Sequence, residues 1–277
     1  MITKIIKNIG IIIIISSSFA VYSIKNASLA PGKDDIQYEN NTLMKVYKDI
    51  ELEAIQWYNE GILKIESKNY QEAILSFTTS IELNKDDPDF YYNRGYSFLS
   101  LEQFQEAISD YTQAIQLNSD FSYAYGNRCY SYHQTKDYEK AIEDCSIAIS
   151  LEPDYADFYT YRGNAKDNLK MHEDAVIDYG KAIYLKNNNF KTYYNRALAY
   201  NRLGKSLKAV LDYTKSIELN PDFANAYHNR GVTQYKLGET DKAIKDLRKA
   251  TLLFQLQGKV DNAQHTISTL KVLQHEK

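Results

Sequence analysis

The chain has 277 residues, 44% hydrophobic and 25% charged, with 25 tyrosines but only 4 prolines and 2 cysteines. That is enough apolar mass for one large core or two ordinary ones. It is too few turn-formers for an all-β fold, and too few thiols for a disulfide-dense scaffold or a tetrathiolate zinc site. The net charge is −3; residues 1–30 carry three lysines and no acid, so the remainder stands at −6, a poor starting point for a phosphate-backbone binder.

Lys4 and Lys7 precede an apolar run that begins at Ile9, contains Ile11 to Ile15, and meets no charge until Lys25. A basic start, a short apolar stretch and then small residues is the order of a secretory signal peptide. Small residues place cleavage after Ala20, Ser23 or Ala30. The uncharged run 8–24 is 17 residues long, the lower limit of a membrane span, so a retained tether is the second reading. Residues 1–30 are therefore expected to be a signal peptide or signal anchor. The body would then be exported (periplasm, lumen or secreted) or membrane-anchored by its N-terminus. Residues 26–43 are rich in Asn, Asp, Ser and Gly and read as a linker. Met44, Val46, Tyr47 and Ile50 extend the first helix backward, so that 31–53 is expected to be linker and helix extension.

From there one period governs the chain. Stepping by 34 from Gly61 gives Gly95, Cys129, Gly163, Ala197 and Gly231. Twelve residues further stand Ala73, Ala107, Ala141, Ala175, Ala209 and Ala243; four residues earlier stand Trp57, Tyr91, Tyr125, Tyr159, Tyr193 and Tyr227. Within each unit apolar and small residues recur three or four apart, as on a helix face. Asn118-Ser119-Asp120 breaks the pattern, and Asp87-Pro88 and Glu152-Pro153 mark restarts, since Pro is tolerated in a first turn and not inside a helix. Each unit thus reads as two helices, whose small columns allow close approach and whose aromatic column fills the wedge between units. One hairpin cannot bury both of its faces, so the units must stack.

This spacing and these columns resemble the tetratricopeptide repeat family. The resemblance covers residues 54–257 as six units (54–87, 88–121, 122–155, 156–189, 190–223, 224–257). It implies an all-α solenoid, a right-handed superhelix of helical hairpins whose first helices line a concave groove. The family's Pro near the unit end survives only as Pro153 and Pro221. Residues 258–277 leave the period; Val260, Ala263, Ile267, Leu270 and Leu273 form one stripe on a polar helix, as a C-terminal cap requires.

The resemblance directs attention to a groove column, Asn59, Asn93, Asn127, Tyr161, Asn195 and Asn229. In some family members such an asparagine ladder holds an extended peptide, and a carboxamide offers the donor and acceptor that a peptide unit needs. The alternative is that each Asn braces its own neighbourhood. Around this column stand Ile55, Tyr58, Ile62, Tyr92, Tyr96, Leu99, Tyr123 and Tyr130 in the first three units. Asp157 and Asp167 follow in the fourth, and Lys191, Tyr194, Arg202, Tyr235 and Lys236 in the last two. An aromatic half beside a charged half is a specificity pattern for a protein segment, although tyrosines that merely pack between units would look the same. The carboxylate clamp of some family members, which grips chaperone tails, needs cations that Thr160, Asn164, Asn195, Asn225 and Asn229 do not supply.

Catalytic signals are missing. His133, His172, His228, His265 and His275 show no metal spacing, and the glycines follow the repeat rather than a phosphate loop. No cofactor is expected. The leading reading is a non-catalytic interaction scaffold for a protein or peptide. The second is a repeat protein for single-stranded nucleic acid, which the acidic body disfavours; the third is a subunit of an enzyme or assembly with an unrecognised site.

Two pairings remain. Cys129 and Cys145 fall opposite each other across one hairpin, either as a disulfide or as two small buried residues. Glu60, Arg94, Arg128, Arg162, Arg196 and Arg230 form a column sixteen residues before Ser76, Asp110, Asp144, Asp178, Asp212 and Asp246. The one unit without the Arg also lacks the Asp. This predicts five intra-repeat Arg–Asp contacts, which would take those cations away from any phosphate.

Overall fold

The computed structural model describes residues 33–275. All regular structure among them is helical: α1 (Lys33–Glu66), α2 (Tyr70–Leu83), α3 (Pro88–Ser100), α4 (Phe104–Leu117), α5 (Ser122–Gln134), α6 (Tyr138–Leu151), α7 (Ala156–Asn168), α8 (His172–Leu185), α9 (Phe190–Arg202), α10 (Ser206–Leu219), α11 (Ala224–Lys236), α12 (Thr240–Leu256) and α13 (Val260–His275). The fold is thus the all-α hairpin solenoid. The helices fall into two compact units, one ending at Ser97 and the other beginning at Phe98. The expected signal segment 1–30 and the tether 8–24 lie outside the described residues. Among the described residues, no helix is long and apolar enough to cross a membrane.

In the first unit α1 and α2 form a hairpin on which α3 packs, with Ala54, Ile81 and Phe90 at its core. Residues 33–43, read above as linker, are helical: α1 runs unbroken from Lys33. No Pro or Gly interrupts 33–60, so helix once started at 54–66 propagates backward at one hydrogen bond per residue.

The second unit stacks α5/α6, α7/α8, α9/α10 and α11/α12 after α4, and α13 packs on α12. All six alanines of the 34-residue column, Ala73 through Ala243, are fully buried. The small column lets the hairpins close. A Cβ added at Gly163 would lie 2.8 Å from the Tyr179 ring, and one at Gly231 3.0 Å from Leu247. Cys129 and Cys145 hold the same two positions in α5/α6 and are joined by a disulfide. The turns inside the hairpins place one residue in the left-handed region: Lys68, Glu102, Lys136 and Lys170, then Gly204 and Gly238. The turns between hairpins use asparagine carboxamides, with Asn118 Oδ1 accepting from Asp120 N and Asn220 Oδ1 from Asp222 N, both at 3.1 Å. On α13, Ala263, Thr266 and Leu273 are buried, while Val260 and Val272 face solvent.

Candidate functional site: the first-helix surface

The Arg–Asp column fixes each hairpin of the second unit. Arg128 donates from Nε and Nη2 to Asp144 at 2.7 and 2.8 Å. Arg162 reaches Asp178 at 2.9 and 2.7 Å, Arg196 reaches Asp212 at 2.7 and 2.8 Å, and Arg230 reaches Asp246 at 2.6 and 2.9 Å. The aspartates keep 3–10% of their side-chain surface and the arginines 14–19%. These are bidentate, largely buried pairs, the strong kind. Burial pushes the Asp144 carboxyl up, against the pull of Arg128. Arg94 and Asp110 divide between the two units; within the first, Arg94 Nη1 donates to Thr78 Oγ1 at 3.1 Å. Where the first hairpin has Glu60 in place of Arg, Lys64 bridges Glu60 and Glu72, each at 3.0 Å.

The sequence did not disclose a third bond made by Arg128, Arg162 and Arg230. Arg128 Nη1 donates to Thr112 at 3.0 Å, Arg162 Nη1 to Ser146 at 3.1 Å and Arg230 Nη1 to Thr214 at 3.0 Å. One arginine therefore clamps its own hairpin and also grips the preceding one. Each guanidinium further lies over the aromatic residue three positions earlier, as Arg128 over Tyr125 at 5.5 Å and Arg230 over Tyr227 at 5.6 Å.

The groove column falls on the first helices, where consecutive repeats meet. In the first unit, Asn93 Nδ2 donates to Tyr58 Oη at 3.2 Å. Tyr58 packs on Phe77 and Phe90, and burial, with Asp89 and Asp87 nearby, pushes its hydroxyl up. Asn59 is exposed, Tyr92 is half-buried, and Tyr96 stands edge-on to Tyr70 at 6.4 Å. In the second unit, Asn195 Nδ2 donates to Asn164 Oδ1 at 2.9 Å, which also accepts from Tyr179 Oη at 2.9 Å. Asn229 Nδ2 donates to Tyr194 Oη at 2.8 Å. Tyr161, which interrupts the column, lies against Tyr130 with ring centroids 5.1 Å apart. Asn127 is half-buried and engaged. Asn93, Asn195 and Asn229 thus tie one first helix to the next, a bracing role between repeats rather than within a loop.

The cations differ among themselves. Lys191 and Lys236 are exposed. Arg202 is tied to Asp167, whose other oxygen is 2.6 Å from His172 Nδ1. Further helix-to-helix bonds went unread in the sequence. Asn201 Nδ2 donates to Thr233 Oγ1 at 2.7 Å, and Asn168 Nδ2 meets His133 Nε2 at 3.1 Å. The signal that could have found them is a polar pair 31 to 35 residues apart, one repeat on from each other. Beside Lys191 and Lys236, an aromatic side chain is also accessible. Tyr123 is 39% exposed and packs edge-on to Tyr155 and Phe158 at 5.2 and 6.0 Å. Among the described residues no cluster of His, Cys, Asp and Glu could hold a metal ion.

The tetratricopeptide repeat family matches residues 57–87, 88–121, 122–155, 156–189, 190–223 and 212–245, and the chain belongs to it. No curated protein matches the chain. Among solved structures it is similar to YrrB, described as a TPR protein with an unusual peptide-binding site, at 24% identity and TM-score 0.57 over 69% of this chain and 97% of that one. It is similar to Pseudomonas aeruginosa PilF at 15% identity and TM-score 0.67 over 80% and 99%. MamA of Desulfovibrio magneticus RS-1 matches at 20% identity and TM-score 0.58 over 62% and 97%. At these identities the shared property is the fold.

Proposed function

We propose that the protein is a non-catalytic scaffold that binds an extended segment of another protein on the first-helix surface of its repeats. The observation that carries this reading is a run of partly exposed rings in the second unit: Tyr123 with Tyr155, backed by the buried Phe158, Tyr130 with Tyr161, and Tyr194 with Phe223 at 4.9 Å. These rings sit on, or immediately before, helices already tied together by carboxamides, so a ligand would find a preformed surface and little ordering cost. Large, stiff aromatic side chains with polar tips are the usual anchors of such contacts. The peptide-binding description of YrrB agrees with it. The arginines that a nucleic-acid reading would need are committed to Asp144, Asp178, Asp212 and Asp246.

We further infer that the body works outside the reducing cytoplasm. The sequence reading of residues 1–30 supports this, and so does the buried Cys129–Cys145 disulfide, a bond that persists in oxidising compartments. The test of binding is selection of a random peptide library on the full chain. Enriched peptides should bind the wild type and lose at least tenfold on Tyr130→Ala or Tyr123→Ala. No enrichment, or peptides indifferent to both variants, would sink the reading.

A further inference from the structure

α1 is 34 residues long, whereas α2 to α13 have 13 to 17. Its last turns, from Ala54 to Glu66, make the hairpin with α2. The preceding stretch, Lys33 to Glu53, reaches about 30 Å beyond that hairpin. From 41 onward, Ala54 is the first buried residue on this helix.

The overhang is not polar. Leu43, Tyr47, Ile50 and Ala54 follow at intervals of four, three and four, which is the seam of a two-helix coiled coil. Ala54 already sits in that seam, packed with Ile81 and Phe90. The stripe is therefore the continuation of a packed face into a stretch where Tyr47 is 45% exposed, with Met44 at 60% and Val46 at 41% beside it. A coiled-coil seam asks for a second helix, not for an extended strand. Lys45 and Lys48 are outnumbered by Asp49, Glu51 and Glu53, the wrong balance for a helix lying on an anionic membrane. With Leu43 and Ile50 already half-buried, the side chains Leu43, Met44, Val46, Tyr47 and Ile50 leave roughly 400 Å² per copy for a twin to cover, the size of a weak interface.

We propose that the overhang of α1 is a dimerisation stalk, paired with the α1 of a second copy of this chain in an isologous two-helix contact. The inference is independent of what the repeats bind.

The test is the mass of the full chain in solution by light scattering or sedimentation. The wild type is expected to be a dimer at micromolar concentration. Tyr47→Lys combined with Ile50→Lys should give a monomer with unchanged helicity and melting of the repeats, since neither residue is in the hairpin core. Leu52→Lys, on the opposite side of α1 and 56% exposed, should remain a dimer. A monomeric wild type at 100-fold higher concentration would overturn the proposal. So would a dimer that survives the double change, or one that Leu52→Lys also dissociates.

Discussion

Cys129 and Cys145 are bonded across α5 and α6, Cα to Cα 5.5 Å, in the two positions that Gly163 and Tyr179 hold one repeat later. A covalent bridge here replaces a ring laid against a glycine. The loop it closes spans 16 residues, so its loss should cost about 3 kcal/mol. Calorimetry with and without reductant on unfolding should show that drop for the wild type. Cys129→Gly with Cys145→Tyr should recover a good part of it and melt identically in both buffers.

Arg196 lacks the hydroxyl that Thr112, Ser146 and Thr214 give to its neighbours, because Gly180 stands there; a Cβ at Gly180 would meet only Arg196 Nη1, at 3.8 Å. Gly180→Ser should fill the gap. The gain is about 0.5 kcal/mol from helix propensity and about 1 kcal/mol from a bond to a charged donor. Thermal melting should rise by a few degrees; an unchanged or lower midpoint would refute the assignment.

Lys136 and Lys170 adopt φ of 66° and 64° in hairpin turns where later repeats use Gly204 and Gly238. A side chain in that region costs on the order of 1 kcal/mol, partly offset by the greater freedom of glycine in the unfolded chain. Lys170→Gly should therefore stabilise by roughly 0.5 kcal/mol, and Gly204→Lys should destabilise by about the same amount. Denaturant midpoints for the two variants should move in opposite directions.

Burial holds the His133 and His228 imidazoles below their usual range, the latter helped by His265. A base depressed in the folded state is neutral there while the unfolded chain takes up a proton. Their contribution is present above the ordinary histidine value, near 6.5, and is lost as pH falls through it. Melting temperature should fall between pH 7 and pH 5.5. His133→Gln with His228→Gln should flatten that slope; an equal slope would assign the effect to other groups.

The period, the buried alanines and the Arg–Asp pairs were legible because each is a local rule repeated at a fixed offset. Sixteen residues separate Arg128 from Asp144, and a helical hairpin of this length must bring them together. The bond from Arg128 to Thr112 also spans sixteen residues but backward, across a junction between hairpins whose packing no single repeat dictates. For the same reason Asn195 and Asn164 could not be paired in advance: their meeting depends on how closely two first helices approach. The start of α1 is not legible because Asp34, Asp35, Asn40 and Asn41 carry a linker composition, while the helix is propagated from the hairpin behind it.

The backward bond also bears on how such a chain can change length. Every junction held by it presents the same chemistry: a hydroxyl on the outgoing helix and an arginine on the incoming one. Excising residues 122–155 would leave Thr112 facing Arg162, with Asp178 still waiting across the hairpin. A duplication of the same stretch would splice as cleanly, since Ser146 would meet a second copy of Arg128. Whole hairpins can thus be gained or lost by in-frame recombination without orphaning a buried charge. The run of tyrosines they display would be lengthened or shortened one register at a time.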